Sequence, residues 1–118
     1  MSIRQLLNIA VQAADDKKAE DIVVLNVQGI SAVADYFVIC HGNTDRQVQA
    51  IVREIEDKVE EAGYELFSRE GYEEARWVLL DLGDIVVHVF HREDREYYKL
   101  EKLWGDAPIV DMESGLAQ

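Results

Sequence analysis

The sequence predicts a single α/β (α+β) domain: a mixed five-stranded sheet with helices packed on it. Two segments repeat apolar residues at helical spacing behind capping signals. Short β-branched and aromatic runs follow each of them, and two such runs flank a tight Asp/Gly turn. A chain of 118 residues fits one domain, and 48% hydrophobic residues are enough to fill its core.

Ser2-x-x-Gln5 reads as a capping box, and Ile3, Leu6, Leu7, Ala10, Val11 and Ala14 then recur on one helical face, which predicts a helix over 2–18. Residues 21–27 read as a strand. A Gly-containing connection leads to a second strand over 35–40, whose unbroken apolar character suits a central position covered on both faces. Thr44-x-x-Gln47 is a second capping pattern, with Asp45 at the positive helix end. Val48, Ile51, Val52, Ile55, Val59 and Ala62 form the stripe of that helix, and Gly63 is its stop. Residues 64–68 are expected as a third strand and 69–75 as a loop. The hairpin 76–90 turns at Asp81-Leu82-Gly83-Asp84 and supplies strands four and five. Residues 92–98 are expected as a short helix. One domain over 1–108 and a mobile tail over 109–118 complete the reading.

The chain carries 24 acids against 12 bases, a net charge of −12. Acids lead in each part: five to three over 1–40, ten to four over 41–75, nine to five over 76–118. Nucleic-acid affinity comes largely from neutralising phosphates, and no basic stripe is present, so direct RNA or DNA binding is disfavoured. Such a field attracts basic proteins; it also serves solubility alone. Cys40 is the one cysteine and ends an apolar run, which reads as a buried structural thiol. With no signal-peptide pattern and no span-length apolar run, a cytoplasmic protein without membrane contact is expected.

Catalytic constellations are thin. Gly29-Ile30-Ser31 precedes Asp35-Tyr36-Phe37 as in polymerase-β-type nucleotidyltransferases, but the second carboxylate such a two-metal site needs is Phe37 here. His88-x-x-His91 places two imidazoles on opposite faces of a strand, so no metal site is expected, and His88 reads as a face contact or core histidine. Asp81 and Asp84 bracket a turn, where such acids hold backbone. No nucleophile has a His/Asp partner and no Gly motif cradles phosphate, so neither a cofactor nor an enzymatic activity is expected. What remains is aromatic. Trp77 and Leu79 share one parity, as do Val86, His88 and Phe90, and Tyr97, Tyr98, Leu100, Leu103 and Trp104 follow. If both long helices cover one sheet face, the other is left partly open, with Trp and Tyr as anchors inside a rim of Arg and Lys.

The residues that carry a family likeness run through most of the chain. They are Ala34-Asp35-Tyr36-Phe37-Val38-Ile39, Gly42-Asn43-Thr44 with Arg46-Gln47, Glu70-Gly71, Trp77-Val78-Leu79-Leu80-Asp81-Leu82-Gly83-Asp84, His88-Val89-Phe90, Arg95-Glu96-Tyr97-Tyr98 and Leu100-Glu101-Lys102-Leu103-Trp104. On these the chain resembles the ribosome silencing factor, or Iojap-like, family. Arg76 departs from the Gly that often precedes the Trp.

The resemblance implies a nucleotidyltransferase-like fold lacking the catalytic carboxylates. It implies binding to the large ribosomal subunit through its protein L-fourteen, which blocks joining with the small subunit and lowers translation when nutrients are scarce. Organellar relatives imply large-subunit biogenesis as the alternative, and a nucleotide-binding enzyme is a more distant one. Trp77, Leu79, Leu80, Asp81, His88 and Phe90 are then expected to form the sheet part of the partner-binding face. Arg95, Tyr98, Leu100, Lys102, Leu103 and Trp104 are expected to complete it. The same apolar face, pairing with itself, would make a homodimer of the free chain.

Overall fold

The structure, a computed structural model, describes residues 2–98 and 108–110, with backbone alone for 96–98. Ser2 opens helix α1 (Ile3–Asp16). Its Oγ accepts the Gln5 backbone N–H at 3.1 Å, and the Gln5 side chain accepts the Ser2 N–H at 3.2 Å. This is the reciprocal exchange a capping box provides. The helix stops short of the expected residue 18, because Lys18 adopts a left-handed φ of 62°.

Thr44 caps α2 (Asp45–Glu61), accepting the Gln47 N–H at 3.1 Å. Here the reciprocal half departs from the pattern. Gln47 Oε1 accepts from the Asn43 N–H at 2.7 Å, and its Nε2 donates to the carbonyls of Lys17 and Lys18 at 3.2 and 3.0 Å. One side chain thus ties the end of α1 to the start of α2, satisfying helix-end carbonyls that have no partner within α1.

The strands are β1 (Glu20–Asn26), β2 (Tyr36–Gly42), β3 (Ser68–Glu70), β4 (Trp77–Asp81) and β5 (Ile85–His91), and α3 (Arg92–Tyr98) follows the last of them. Their order is β1-β2-β5-β4-β3. The central pair β2–β5 is parallel, with Val38 opposite Val87, and the other three pairings are antiparallel. The parallel pair is reached by a crossover through α2, β3 and β4. A register shift between Glu20 and Val23 marks a bulge in β1, where Asp21 takes a positive φ.

Both long helices lie on one face of the sheet. Leu7, Ala10, Val11, Ile51, Val52, Ile55 and Val59 pack there against Val38, Cys40, Val78, Leu80, Val87 and Val89. A separate cluster, Leu25, Val27, Ala34, Phe37, Ile39, Val86 and Phe90, forms on the opposite face, with Val23, Trp77 and Leu79 half-buried against it. Of the arrangements the sequence leaves open, the one with both long helices on a single face is the one formed. Cys40 is buried on the helix side, as expected of a structural thiol, and burial pushes its pKa up to about 12 against a smaller lowering by the Arg95 charge. No helix among the described residues is long and apolar enough to cross a membrane.

One strand is placed differently from expectation. The third strand is Ser68–Glu70 rather than 64–68. Gly63, at φ 87°, and the Tyr64 N–H on the Val59 carbonyl belong to the exit of α2. Tyr64 and Leu66 pack on the helix-side core, and main-chain pairing with β4 begins with the Phe67 N–H on the Asp81 carbonyl at 2.8 Å and continues with Ser68 opposite Asp81. At the other end, residues 108–110 lie along the outer edge of β1. Asn26 N–H donates to Pro108 O at 2.9 Å and Val110 N–H to Val24 O at 2.8 Å, beside a bridge between Leu25 and Ile109. The rest of the expected tail, 111–118, lies outside the described residues.

Candidate partner-binding face

The β4–β5 hairpin positions the candidate face. Asp81 Oδ1 accepts the Gly83 N–H at 2.9 Å, and Gly83 takes a φ of 94°, so the Asp/Gly turn forms as its residues predict. The register then sets Trp77 opposite Phe90, Leu79 opposite His88 and Asp81 opposite Val86. These six share the face away from α1 and α2, because side chains alternate along a strand. Phe37 and Ile39 of β2 lie beside them.

Four of the expected contact residues are buried rather than exposed. Leu80 is fully buried in the helix-side core. It was grouped with Leu79 although neighbours on a strand point to opposite faces, and the alternation alone would have separated them. Phe90 is on the expected face but fully buried, its ring stacked on Trp77 at 5.2 Å between centroids. His88 is also buried, with the Phe37 ring edge-on at 4.7 Å.

Arg95, expected at a charged rim, is buried as well. Its Nη1 donates to His41 Nδ1 at 3.0 Å and to the Glu20 carbonyl at 3.3 Å. His41 Nδ1 is thereby an acceptor, so its Nε2 carries the proton that meets Glu20 Oε2 at 3.2 Å. Arg95 thus fastens α3 to β1 and β2. The sequence reading missed Glu20 and His41, which lie far from Arg95 along the chain.

Trp77, Leu79 and Asp81 remain half-buried. Tyr98 ends α3, but its side chain, with Leu100, Lys102, Leu103 and Trp104, lies outside the described residues.

His88 has a consequence for acid stability. Burial pushes its pKa down to about 4. The unfolded chain takes up this proton near pH 6.5, so above that pH the group leaves stability unchanged. As pH falls from there toward about 4 the unfolded state binds the proton and the folded state does not. Stability is therefore lost, about 3 kcal/mol in all at about 1.4 kcal/mol per pH unit. Denaturant titrations at a series of pH values should show this acid slope in the wild type and its loss in His88→Phe. An unchanged slope in the variant would refute the assignment.

A family model described as "Ribosomal silencing factor during starvation" matches residues 1–118. The chain belongs to the ribosomal silencing factor family. It is 60% identical over 118 residues, the whole of both chains, to ribosomal silencing factor RsfS of Bacillus subtilis (strain 168). A crystal structure from Bacillus halodurans matches with a TM-score of 0.81 at 58% identity, covering 91% of this chain and 97% of that one. An X-ray structure from Chromobacterium violaceum matches with a TM-score of 0.86 at 36% identity, covering 89% and 88%.

In this silencing factor the position one strand step beyond Asp35 is filled by the buried Phe37 ring. Among the described residues, no group of three or more His, Cys, Asp or Glu is placed to hold a metal ion. What the face presents is a half-buried row, Trp77, Leu79 and Asp81, over an aromatic and aliphatic layer. Such a row offers apolar area with polar groups at its edge, the composition of a protein contact.

Proposed function

We propose that this chain represses translation by binding the large ribosomal subunit through its protein L-fourteen and so keeping the small subunit from joining. Membership of the silencing factor family supports a ribosomal target. The observation that carries the choice of surface is the half-buried row on β4, on the sheet face that α1 and α2 leave uncovered. The net charge of −12 favours a basic protein and disfavours bare rRNA as the thing touched. Trp77 supplies the anchor, Leu79 the flanking apolar contact and Asp81 an orienting charge. The buried positions Leu80, Phe90 and Arg95 support the surface from beneath. No enzymatic step is part of this action.

Trp77→Ala should weaken binding by about 2 kcal/mol, about thirtyfold in affinity. Purified large subunits are preincubated with the protein before small subunits and Mg²⁺ are added, and joining is followed by light scattering. Dose-dependent loss of the joined particle, relieved by Trp77→Ala, is the expected result. Undisturbed joining with co-sedimentation on large subunits would point to subunit biogenesis instead. Without co-sedimentation the ribosomal reading fails.

A further inference from the structure

We propose that the Nε2–H of His88 is a recognition group, which donates a hydrogen bond to a neutral carbonyl oxygen of the protein that docks on the sheet face. This rests on the docking reading above and adds to it the chemistry of one contact. The geometry fixes the proton. Trp77 Nε1–H donates to His88 Nδ1 at 3.1 Å, so Nδ1 is an acceptor and the ring proton sits on Nε2. That Nε2 is buried and has no hydrogen-bond partner among the described residues. Among the described residues the rings of Phe37, Phe90 and Trp77 lie near the His88 ring, with Leu79 and Ile39 opposite it on the neighbouring strands, and none of these side chains is an acceptor.

Native folds rarely keep a buried donor without an acceptor, because its lost hydration is not returned. A phenylalanine would remove this unmet donor, though it would also take away the acceptor that the Trp77 indole N–H uses. The unmet donor lies at the centre of the one sheet face that the long helices do not cover, directly across from Leu79 of the half-buried row. It is sealed while the chain is alone, so docking has to open this layer. The new hydrogen bond then stabilises the bound arrangement and not the free one, which is the differential interaction such an opening needs.

The chemistry of the acceptor follows from charge. The imidazole resists protonation in its apolar surroundings, so it offers a neutral donor rather than a cation. An approaching carboxylate or phosphate would meet the field of a chain at −12 at a ring that brings no positive charge of its own. A main-chain or amide carbonyl oxygen of a protein meets neither obstacle.

Two measurements test this. Ring ¹⁵N NMR of the free chain should show His88 as the Nε2–H tautomer; finding the proton on Nδ1 would overturn the assignment outright. The second is co-sedimentation with purified large subunits over a concentration series. His88→Phe should fold and bind at least about tenfold more weakly. His88→Gln, which retains a donor near Nε2, should recover most of that loss. Binding of His88→Phe within about twofold of wild type, alongside a clear loss in Trp77→Ala, would refute the donor while leaving the docking reading intact. No binding by the wild type would sink the docking reading and this inference with it. If His88→Phe does not fold, His88→Asn keeps an acceptor for the Trp77 indole but lacks the donor at Nε2, and wild-type affinity in that variant overturns the proposal.

Discussion

Leu80→Ala is expected to lose about 3 kcal/mol of folding stability, and Leu79→Ala less than half of that. The two leucines are adjacent, chemically identical and on the same strand. Leu80 is fully buried among the helix-side residues, where a truncated side chain leaves a cavity that close-packed neighbours cannot fill. Leu79 is half-buried on the other face, where water and the flanking rings can take up the space. Domains of this size have a total stability of about 5 to 15 kcal/mol, so the first loss is a large share of the whole. Ribosome binding should order the pair the other way. Per folded molecule, Leu79→Ala binds large subunits more weakly while Leu80→Ala binds as the wild type does. Urea titration measures the first contrast and co-sedimentation the second. Equal stability losses would mean that the assigned faces of β4 are wrong.

Gly71→Ala should be as damaging, about 2 to 4 kcal/mol, for a reason of backbone rather than packing. Gly71 has a φ of 81°, in the left-handed region that L side chains resist, and a Cβ added there would run into the Trp77 carbonyl oxygen. That carbonyl belongs to the first residue of β4, so the collision falls where the hairpin enters the sheet. Gly71 also accepts the Ala75 N–H at 3.1 Å, closing the loop that delivers Trp77 to its place. The substitution should therefore lower the thermal midpoint and disturb Trp77 fluorescence together. A variant with unchanged stability would show that the loop has another conformation. Gly71 has no side chain to offer a partner, yet it fixes where that face begins.

Much of this architecture was legible because the signals were local. Ser2 and Thr44 have their partners three residues away, so the capping patterns located both helix starts. Asp81 and Gly83 define a turn within four residues, and the apolar runs on either side are long enough to be strands. The failures share the opposite property. The third strand depends on where the chain meets β4, which no residue between 64 and 70 encodes, and the apolar Tyr64 and Leu66 are spent on the core instead. Ile109 and Val110 read as tail because their pairing is with Leu25 and Val24, more than eighty residues earlier. Arg95 read as a rim charge because arginine on a short helix is usually solvated. Its burial depends on His41 and Glu20, 54 and 75 residues away. For the face itself, parity gave the correct partners of Trp77, and a departure from parity misplaced Leu80. What no pattern of residues supplies is the depth of each side chain, which separates Trp77 from Phe90 although the two rings touch.

The edges of the sheet bear on how such a protein remains a discrete particle. An open strand edge is a template on which any extended chain can polymerise. Here β1 is kinked by its bulge, engaged by Arg95 at Glu20 and paired with 108–110 further along, while β3 at the far side is three exposed residues long and carries Arg69 and Glu70. Main-chain templating is thereby discouraged at both margins. Recognition is left to side chains on a face, where a single substitution changes the choice of partner without opening a path to fibres.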